Sequence, residues 1–163
     1  METQISCKEL KITSIDKTIM FATRCLTEGS DLLITGGVAS GKLNTSVTVG
    51  TAYAGKDQLI TLVWKRLISH DFLTKMPVLE KDDTITWLEA APFKEITDKG
   101  KYALVIDFDD ITSINQMQED YLLLLLSKRN SDGRLILCGL PELVHSLPKS
   151  ITTRLTKINI HLV

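Results

Sequence analysis

Long apolar segments are missing from this chain of 163 residues. No stretch approaches the about 18 hydrophobic residues that a membrane-spanning helix requires. The five leucines from Leu122 to Leu126 predict part of a buried helix instead. The N-terminus carries charged residues such as Lys8 and Glu9 and has no apolar core of a signal peptide. We therefore expect a cytoplasmic location and no membrane segment in this chain.

Cysteine and histidine are scarce, with three of each in the chain. They are Cys7, Cys25, Cys138, His70, His145 and His161. The cysteines have no metal-like spacing, and no histidine pairs with a cysteine or an acid at the spacing of a metal site or a catalytic nucleophile. Two of the cysteines lie in apolar stretches, which predicts buried thiols.

An excess of charge of either sign is also absent, since the net charge is −1. The chain therefore has no bulk attraction to nucleic acid, and any DNA contact would need a local patch or an assembled ring. Apolar residues make up 44% and charged residues 24%, without repeats or low-complexity segments. This composition and length predict one globular domain with a core of its own.

The most informative stretch is residues 31–42, where an apolar run leads into glycines. From Gly36 to Lys42 it fits Gly-x-x-x-x-Gly-Lys, the phosphate-binding loop that joins a strand to a helix. Glycines let consecutive backbone N–H groups curl around an anion, and the following helix points its positive dipole end at the same place. The predicted nucleotide-binding residues are Gly36, Gly37, Val38, Ala39, Ser40, Gly41, Lys42 and Leu43. The alternative is a glycine-rich turn without a ligand.

The end of this loop departs from the motif. Lys42 is placed to reach the outer phosphates, and we predict a catalytic role for it. The next residue should be Ser or Thr, whose hydroxyl holds magnesium, but this chain has Leu43. The loop therefore predicts nucleotide binding strongly and full catalytic competence weakly.

A second informative stretch places a carboxylate after a buried strand. Four apolar residues precede Asp107, and in a parallel sheet the carboxyl end of a strand faces the ligand crevice. An acid there holds the magnesium shell in P-loop proteins, so Asp107 is the predicted metal ligand and a catalytic residue. The acid that polarises water usually follows directly, but that residue is Phe108. Asp109 or Asp110 could substitute, or these two residues could simply cap the next helix.

The remaining segments alternate between strand and helix patterns. Predicted strands cover 31–35, Leu59 to Trp64, 102–107, Arg134 to Cys138 and Ile158 to Val163. Predicted helices cover about 17–28 with Asp16 as its cap, 41–54, 85–93 and 114–129, with a short helix or loop at 142–151 and an edge strand or arm at 5–15. This alternation predicts an α/β fold, a mainly parallel sheet flanked by helices.

Together, the loop, the acid-tipped strand, the long helix and the strand from Arg134 to Cys138 resemble the additional-strand P-loop ATPases. This group contains the FtsK/SpoIIIE/HerA translocases and the AAA+ proteins, and it implies a P-loop NTPase fold with a RecA/AAA-like core. The closer resemblance is to FtsK/SpoIIIE. It is carried by Gly41-Lys-Leu-Asn44, Leu62-Val-Trp-Lys-Arg66, Phe72-Leu-Thr-Lys-Met-Pro77 and Ile151-Thr-Thr-Arg-Leu-Thr-Lys-Ile158.

The resemblance implies a single domain over 1–163. It has an N-terminal arm and helix at 1–30 and a nucleotide-binding core at 31–163, and a longer chain of several such modules is the alternative. ATP would lie across Gly36 to Lys42, with Mg²⁺ near Asp107. Arg154 would reach a neighbour's phosphate in a homo-oligomeric ring, as an arginine finger does, or it would form a surface ion pair. DNA or a polypeptide would be the substrate that is moved.

The departures from the family fall on magnesium binding and water activation. Leu43 replaces the hydroxyl, Phe108 replaces the glutamate, and 139–141 replace a polar sensor with Gly-Leu-Pro. Such degenerate domains are typical of the type VII secretion ATPases EssC/EccC. We therefore predict an ATP-binding translocase-type domain with weak or absent hydrolysis. The alternatives are an AAA+ initiator or helicase-loader domain and a non-catalytic protein-docking module.

Overall fold

The computed structural model describes residues 15–64, 100–128 and 131–160. It contains five strands: β1 Asp31–Gly36, β2 Leu59–Val63, β3 Tyr102–Asp109, β4 Gly133–Gly139 and β5 Leu155–Ile160. The described α-helices are α1 Ile15–Thr27, α2 Lys42–Ala54, α3 Gln116–Lys128, α4 Glu142–Ser146 and α5 Lys149–Thr152, with a 3₁₀ turn at Lys56–Gln58. The predicted arm, the helix at 85–93 and the Lys65-Arg66 pair lie outside the described residues. None of the described helices is long and apolar enough to cross a membrane.

The five strands form one parallel sheet in the order β2-β3-β4-β1-β5. This confirms the predicted α/β class. The strand β1 lies between β4 and β5, and β4 separates it from β3. Because all strands run the same way, their carboxyl ends meet at one edge of the sheet. The loop after β1 and the acid at the end of β3 therefore face the same crevice.

Helices cover both faces of the sheet, which explains the continuous apolar runs of its strands. On one face, α1 and α2 pack on alternate strand residues such as Ile34, Val105 and Ile136. On the other face, α3, α4 and α5 pack on the intervening residues, such as Leu104 and Leu137. The period of two along each strand therefore decides whether a side chain joins one core or the other.

The helix α2 forms although it contains several poor helix formers. Val49 and Tyr53 are buried against the sheet, and this packing outweighs the weak local propensity. Gly50 allows the close approach, since a Cβ there would lie 2.8 Å from Leu59 Cδ1 and 3.2 Å from Ala103 Cβ. The prediction of a helix at 41–54 is confirmed.

Two predicted boundaries were wrong. The first helix begins at Ile15, so Asp16 lies in its first turn rather than at the cap, where its charge still favours the helix dipole. The last strand begins at Leu155, three residues before the predicted start. Thr156 is buried in it beside Leu32, and this polar residue hid the start of the strand from a search for apolar runs.

The hypothesis that Asp109 and Asp110 cap the next helix was also wrong. The helix α3 begins at Gln116, and Asn115 Oδ1 accepts a hydrogen bond from the Gln118 N–H at 2.8 Å. In return, Gln118 Oε1 accepts one from the Asn115 N–H at 3.0 Å. This reciprocal pair is a capping box, so the two aspartates are not needed to start the helix.

Candidate phosphate-binding site

The glycine-rich loop leaves the sheet at its carboxyl edge. β1 ends at Gly36, which pairs with Ile160 of β5, and α2 starts six residues later at Lys42. One residue before the loop, Thr35 Oγ1 donates a hydrogen bond to Asn159 Oδ1 at 3.1 Å. This polar pair fixes the end of β1 to β5, and therefore fixes the point from which the loop departs.

The backbone of the loop turns through two left-handed residues, Ala39 at φ 62° and Gly41 at φ 81°. The Ser40 N–H donates to the Gly37 carbonyl at 3.1 Å, and the Thr45 N–H donates to the Gly41 carbonyl at 2.9 Å as the first bond of the helix. A left-handed residue followed by helical ones turns successive N–H groups toward one side and makes an anion-binding concavity.

Only glycine fits at position 36, because the loop folds back over this residue. A Cβ at this position would lie 2.3 Å from Ser40 Oγ and 3.0 Å from Ser40 Cβ. Ser40 is itself buried, and its Oγ has no hydrogen-bond partner among the described residues. The first glycine of the motif is therefore required by packing as well as by backbone conformation.

Lys42 brings a positive charge to the mouth of the loop. Its Nζ donates a hydrogen bond to the Gly37 carbonyl at 3.2 Å, so the side chain folds over the loop rather than away from it. The first turn of α2 contains no acidic residue. The ammonium group and the positive end of the helix dipole therefore add at the same place.

Asp107 lies two strands away, near the carboxyl end of β3. It pairs with Cys138 of β4 and is half-buried. The register shifts between Asp107 and Asp109, which has φ 53°, and the Asp109 N–H donates to Asp107 Oδ1 at 2.9 Å. One carboxylate oxygen is therefore held by the backbone of the strand's own tip.

No protein-family model and no curated protein matches the sequence. Solved structures do match. Domain III of the Thermotoga maritima replication initiation protein DnaA has a TM-score of 0.59 at 13% identity, covering 93% of this chain and 63% of that one. A DNA polymerase III gamma subunit-related protein of the same organism has a TM-score of 0.57 at 11%, covering 89% and 46%. A chain of the E. coli MS115-1 HORMA:CdnC:Trip13 complex has 0.58 at 12%, covering 98% and 65%.

This chain has the P-loop NTPase fold. The Gly-x-x-x-x-Gly-Lys loop, the parallel sheet and the extra strand between β1 and β3 all belong to it. The similar structures are P-loop ATPase domains of the AAA+ kind, and they give no specific support to the FtsK/SpoIIIE resemblance. This chain spans between 46% and 65% of their lengths, and identities this low show the fold alone.

Within the P-loop fold, the residue after Asp107 faces away from the crevice. Phe108 is fully buried on the opposite face of the sheet, and its ring stacks on Trp64 with centroids 4.6 Å apart and planes at 25°. The residue directly after Asp107 is therefore part of the hydrophobic core. Asp109, which is exposed, is the next carboxylate along the strand.

Two uncharged side chains, Ser46 and Cys138, lie between the P-loop and Asp107, and we call them the floor of the site. Burial raises the pKa of the Cys138 thiol to about 11, and the charge of Asp107 raises it as well, while a hydrogen bond with Ser46 and the charge of Lys42 act in the opposite direction. The Ser46 hydroxyl donates to the Lys42 carbonyl at 2.8 Å. Lys42 follows β1 and Asp107 ends β3, so both lie at the carboxyl edge of the same parallel sheet.

The sequence predicted two buried thiols, and both Cys25 and Cys138 are buried. The place of Cys138 in the candidate site was missed. The available signal was its position at the end of the strand that an additional-strand fold inserts between the loop strand and the acid strand.

The residues present do not fit the magnesium site that P-loop proteins use, which joins the hydroxyl after the lysine to the acid of β3. Leu43 is 36% exposed and offers only hydrocarbon at the first of these positions. Asp107 already uses one oxygen for the Asp109 amide. In the described part of the chain, no group of three or more His, Cys, Asp or Glu residues could hold a metal ion.

Arg154 lies where the amino ends of the strands meet, at the opposite edge of the sheet from the loop. It occupies the turn before β5. The first residue of β5 pairs with Asp31, and the last residue of β5 pairs with Gly36, where the loop begins. At about 3.3 Å per residue, the two ends of this strand are about 17 Å apart. Arg154 is exposed and does not join the loop of its own chain. Its predicted role at a neighbour's phosphate stays a prediction.

Proposed function

We propose that this chain is a nucleotide-binding P-loop domain of the AAA+ kind that hydrolyses ATP slowly or not at all. One observation carries the proposal. Lys42 folds over an intact loop at the carboxyl edge of the sheet, while Leu43 and Phe108 occupy the positions of the metal ligand and of the water-activating acid. The parts that hold phosphate are retained, and the parts that cleave it are not.

We further propose that the domain is of the initiator or loader type. Two similar structures support this, one named as part of a replication initiation protein and the other as related to a DNA polymerase III gamma subunit. The translocase alternative, with DNA or a polypeptide as the moved substrate, stays a prediction from the sequence. The cytoplasmic location also stays a prediction.

The distance between Arg154 and the loop of its own chain supports a role between copies. Stacking two copies head to tail would bring the far edge of one sheet toward the carboxyl edge of the next. Arg154 would then meet the nucleotide of the neighbour, as the sequence predicts. The domain would therefore sense nucleotide through assembly, with little turnover of its own.

The test measures nucleotide binding and turnover together. Calorimetry with the wild-type chain should show saturable binding, and Lys42→Ala should weaken it at least about tenfold, because a charge-assisted contact to phosphate is lost. Lys56→Ala is the matched control, since Lys56 is an exposed lysine in the 3₁₀ turn after α2, at the opposite edge of the sheet. Steady-state hydrolysis should stay far below the about 10 s⁻¹ of a median enzyme.

Three results would contradict the proposal in whole or in part. Binding that is identical in the wild type and Lys42→Ala would mean that the loop is not the site. No detectable binding of any nucleotide would favour the non-catalytic docking module instead. Turnover near the median rate would refute the loss of hydrolysis while leaving the binding role intact.

A further inference from the structure

We propose that the site selects a nucleoside diphosphate without a divalent metal ion, and that Asp107 acts as the specificity residue that disfavours a third phosphate. The proposal rests on the nucleotide-binding function above and specifies its ligand. It starts from the disagreement between the residues of the pocket and the magnesium site of the fold.

The retained half of the site serves the first two phosphates. In a P-loop, the backbone amides and the helix start hold the α- and β-phosphates, and the lysine reaches the β- and γ-phosphates. In this chain the loop with its left-handed residues Ala39 and Gly41 and the folded-over Lys42 would supply these contacts. A diphosphate therefore finds a complete set of partners without a metal ion.

The third phosphate would enter a different environment. A metal ion ordinarily lies between that phosphate and the acid of β3 and cancels their repulsion. This chain offers the hydrocarbon of Leu43 and the buried side chain of Cys138, which pairs with Asp107 between β3 and β4. Segment 139–141, Gly-Leu-Pro, adds no charged side chain. The loop from Gly36 to Lys42 contains one cation, Lys42, whose Nζ lies against the Gly37 carbonyl, and the β-phosphate already needs it.

Asp107 is held in place for this role. The Asp109 N–H bonds to its Oδ1 at 2.9 Å, and Phe108 is anchored between them by its stack on Trp64. These contacts favour the observed orientation of the Asp107 carboxylate. Like charges held close together in a partly buried pocket repel each other strongly.

The proposal predicts that one substitution changes the affinity for the triphosphate in the opposite direction to the usual one. In a P-loop enzyme that uses magnesium, replacing the acid of β3 weakens binding of the metal-triphosphate complex. Here, Asp107→Asn should strengthen binding of the triphosphate. Asparagine still accepts the hydrogen bond from the Asp109 N–H, so the strand tip is preserved while the negative charge is removed.

The experiment is calorimetry with ADP and with ATP, each in Mg²⁺ and each in EDTA. The wild-type chain should bind ADP at least about tenfold more tightly than ATP in EDTA. Chelation should leave the ADP affinity within about twofold, because no metal contributes to it. Asp107→Asn should raise the ATP affinity about tenfold in EDTA and change the ADP affinity much less.

One control separates charge at the site from charge in general, and a pair of variants tests the missing hydroxyl. Asp57→Asn removes one exposed carboxylate in the 3₁₀ turn at the opposite edge of the sheet and should leave both affinities unchanged. Leu43→Thr adds the missing hydroxyl and should make ATP binding tighter in Mg²⁺ than in EDTA. Leu43→Val introduces a side chain of the same shape as threonine but without the hydroxyl. It should not create this metal dependence.

The inference is overturned if the wild-type chain prefers ATP with Mg²⁺ over ADP, or if Asp107→Asn weakens ATP binding. The proposed nucleotide-binding function survives either of these results. If neither nucleotide binds under any condition while thermal denaturation shows a folded chain, the nucleotide-binding function itself is overturned. The two failures are therefore distinguishable in one set of titrations.

Discussion

The loop after β1 and the tip of β3 lie at the same edge of one sheet, yet they depart to different degrees from the sequence pattern of a P-loop ATPase. The loop keeps its glycines, its left-handed turns and Lys42. The tip of β3 keeps Asp107 but carries Phe108 in the hydrophobic core, where the resemblance predicts an acid. A phosphate-binding loop built from backbone amides tolerates changes of side chain. Metal binding and water activation depend on single side chains, so one substitution removes them.

Phe108→Glu should have the largest effect, and it tests whether the tip of β3 can be repaired by one residue. The carboxylate would be forced into the fully buried stack with Trp64, which should lower the free energy of unfolding by more than about 4 kcal/mol. Phe108→Leu should cost only about 1–2 kcal/mol, because it stays apolar. Urea denaturation measures both. A stable Phe108→Glu variant with new ATPase activity would refute the comparison.

Gly36→Ala should be the most damaging change in the loop. The new Cβ would meet Ser40 Oγ at 2.3 Å, so nucleotide binding should weaken more than about tenfold and stability should fall by about 1–3 kcal/mol. Gly37→Ala is the matched control, because a Cβ there meets nothing within 4 Å. The double variant Gly36→Ala/Ser40→Gly should recover part of the loss. Equal effects of Gly36→Ala and Gly37→Ala would contradict this packing.

Asn115→Ala tests whether the segment after β3 contributes to stability alone or also to nucleotide binding. Loss of the capping box should lower the free energy of unfolding by about 1 kcal/mol. Nucleotide affinity should not change, because Asn115 belongs to the helix start and not to the crevice. Thermal denaturation and calorimetry on the same sample give both values. A loss of affinity without a loss of stability would place α3 in the binding site.

Arg154→Ala should have the smallest effect on the isolated chain. The residue is about 17 Å from the loop along β5, so the affinity of a single copy for nucleotide should stay within about twofold. Sedimentation with and without nucleotide should show weaker nucleotide-dependent association in the variant. A large loss of affinity in the monomer would mean that Arg154 contacts its own ligand.

Much of the fold was predictable from the sequence because the strands are buried on both faces. Four of the five described strands lie within a residue or two of their predicted positions, and the loop lies between β1 and α2 as the motif requires. The order of the strands had no direct signal in the sequence and was not predicted. β5 was placed late because Thr156 and Lys157 interrupt its apolar pattern.

The candidate site was predictable where it depends on local sequence, and not where it depends on distance. The residues Gly36 to Leu43 and Asp107 follow from a motif and from a strand end, although their roles remain predictions. The Ser46 and Cys138 floor and the Thr35 bond to Asn159 join residues far apart in the chain. The direction of Phe108 depends on the strand continuing through Asp109, which its pattern alone did not establish.

The most direct test of the account is the affinity of the wild-type chain for ADP, measured by calorimetry first in Mg²⁺ and then in EDTA. The account predicts saturable binding whose dissociation constant changes by less than about twofold on chelation, because the amides of the loop and Lys42 need no metal. Binding that disappears in EDTA would show that a metal site operates here despite Leu43. It would contradict the separation of phosphate holding from metal handling.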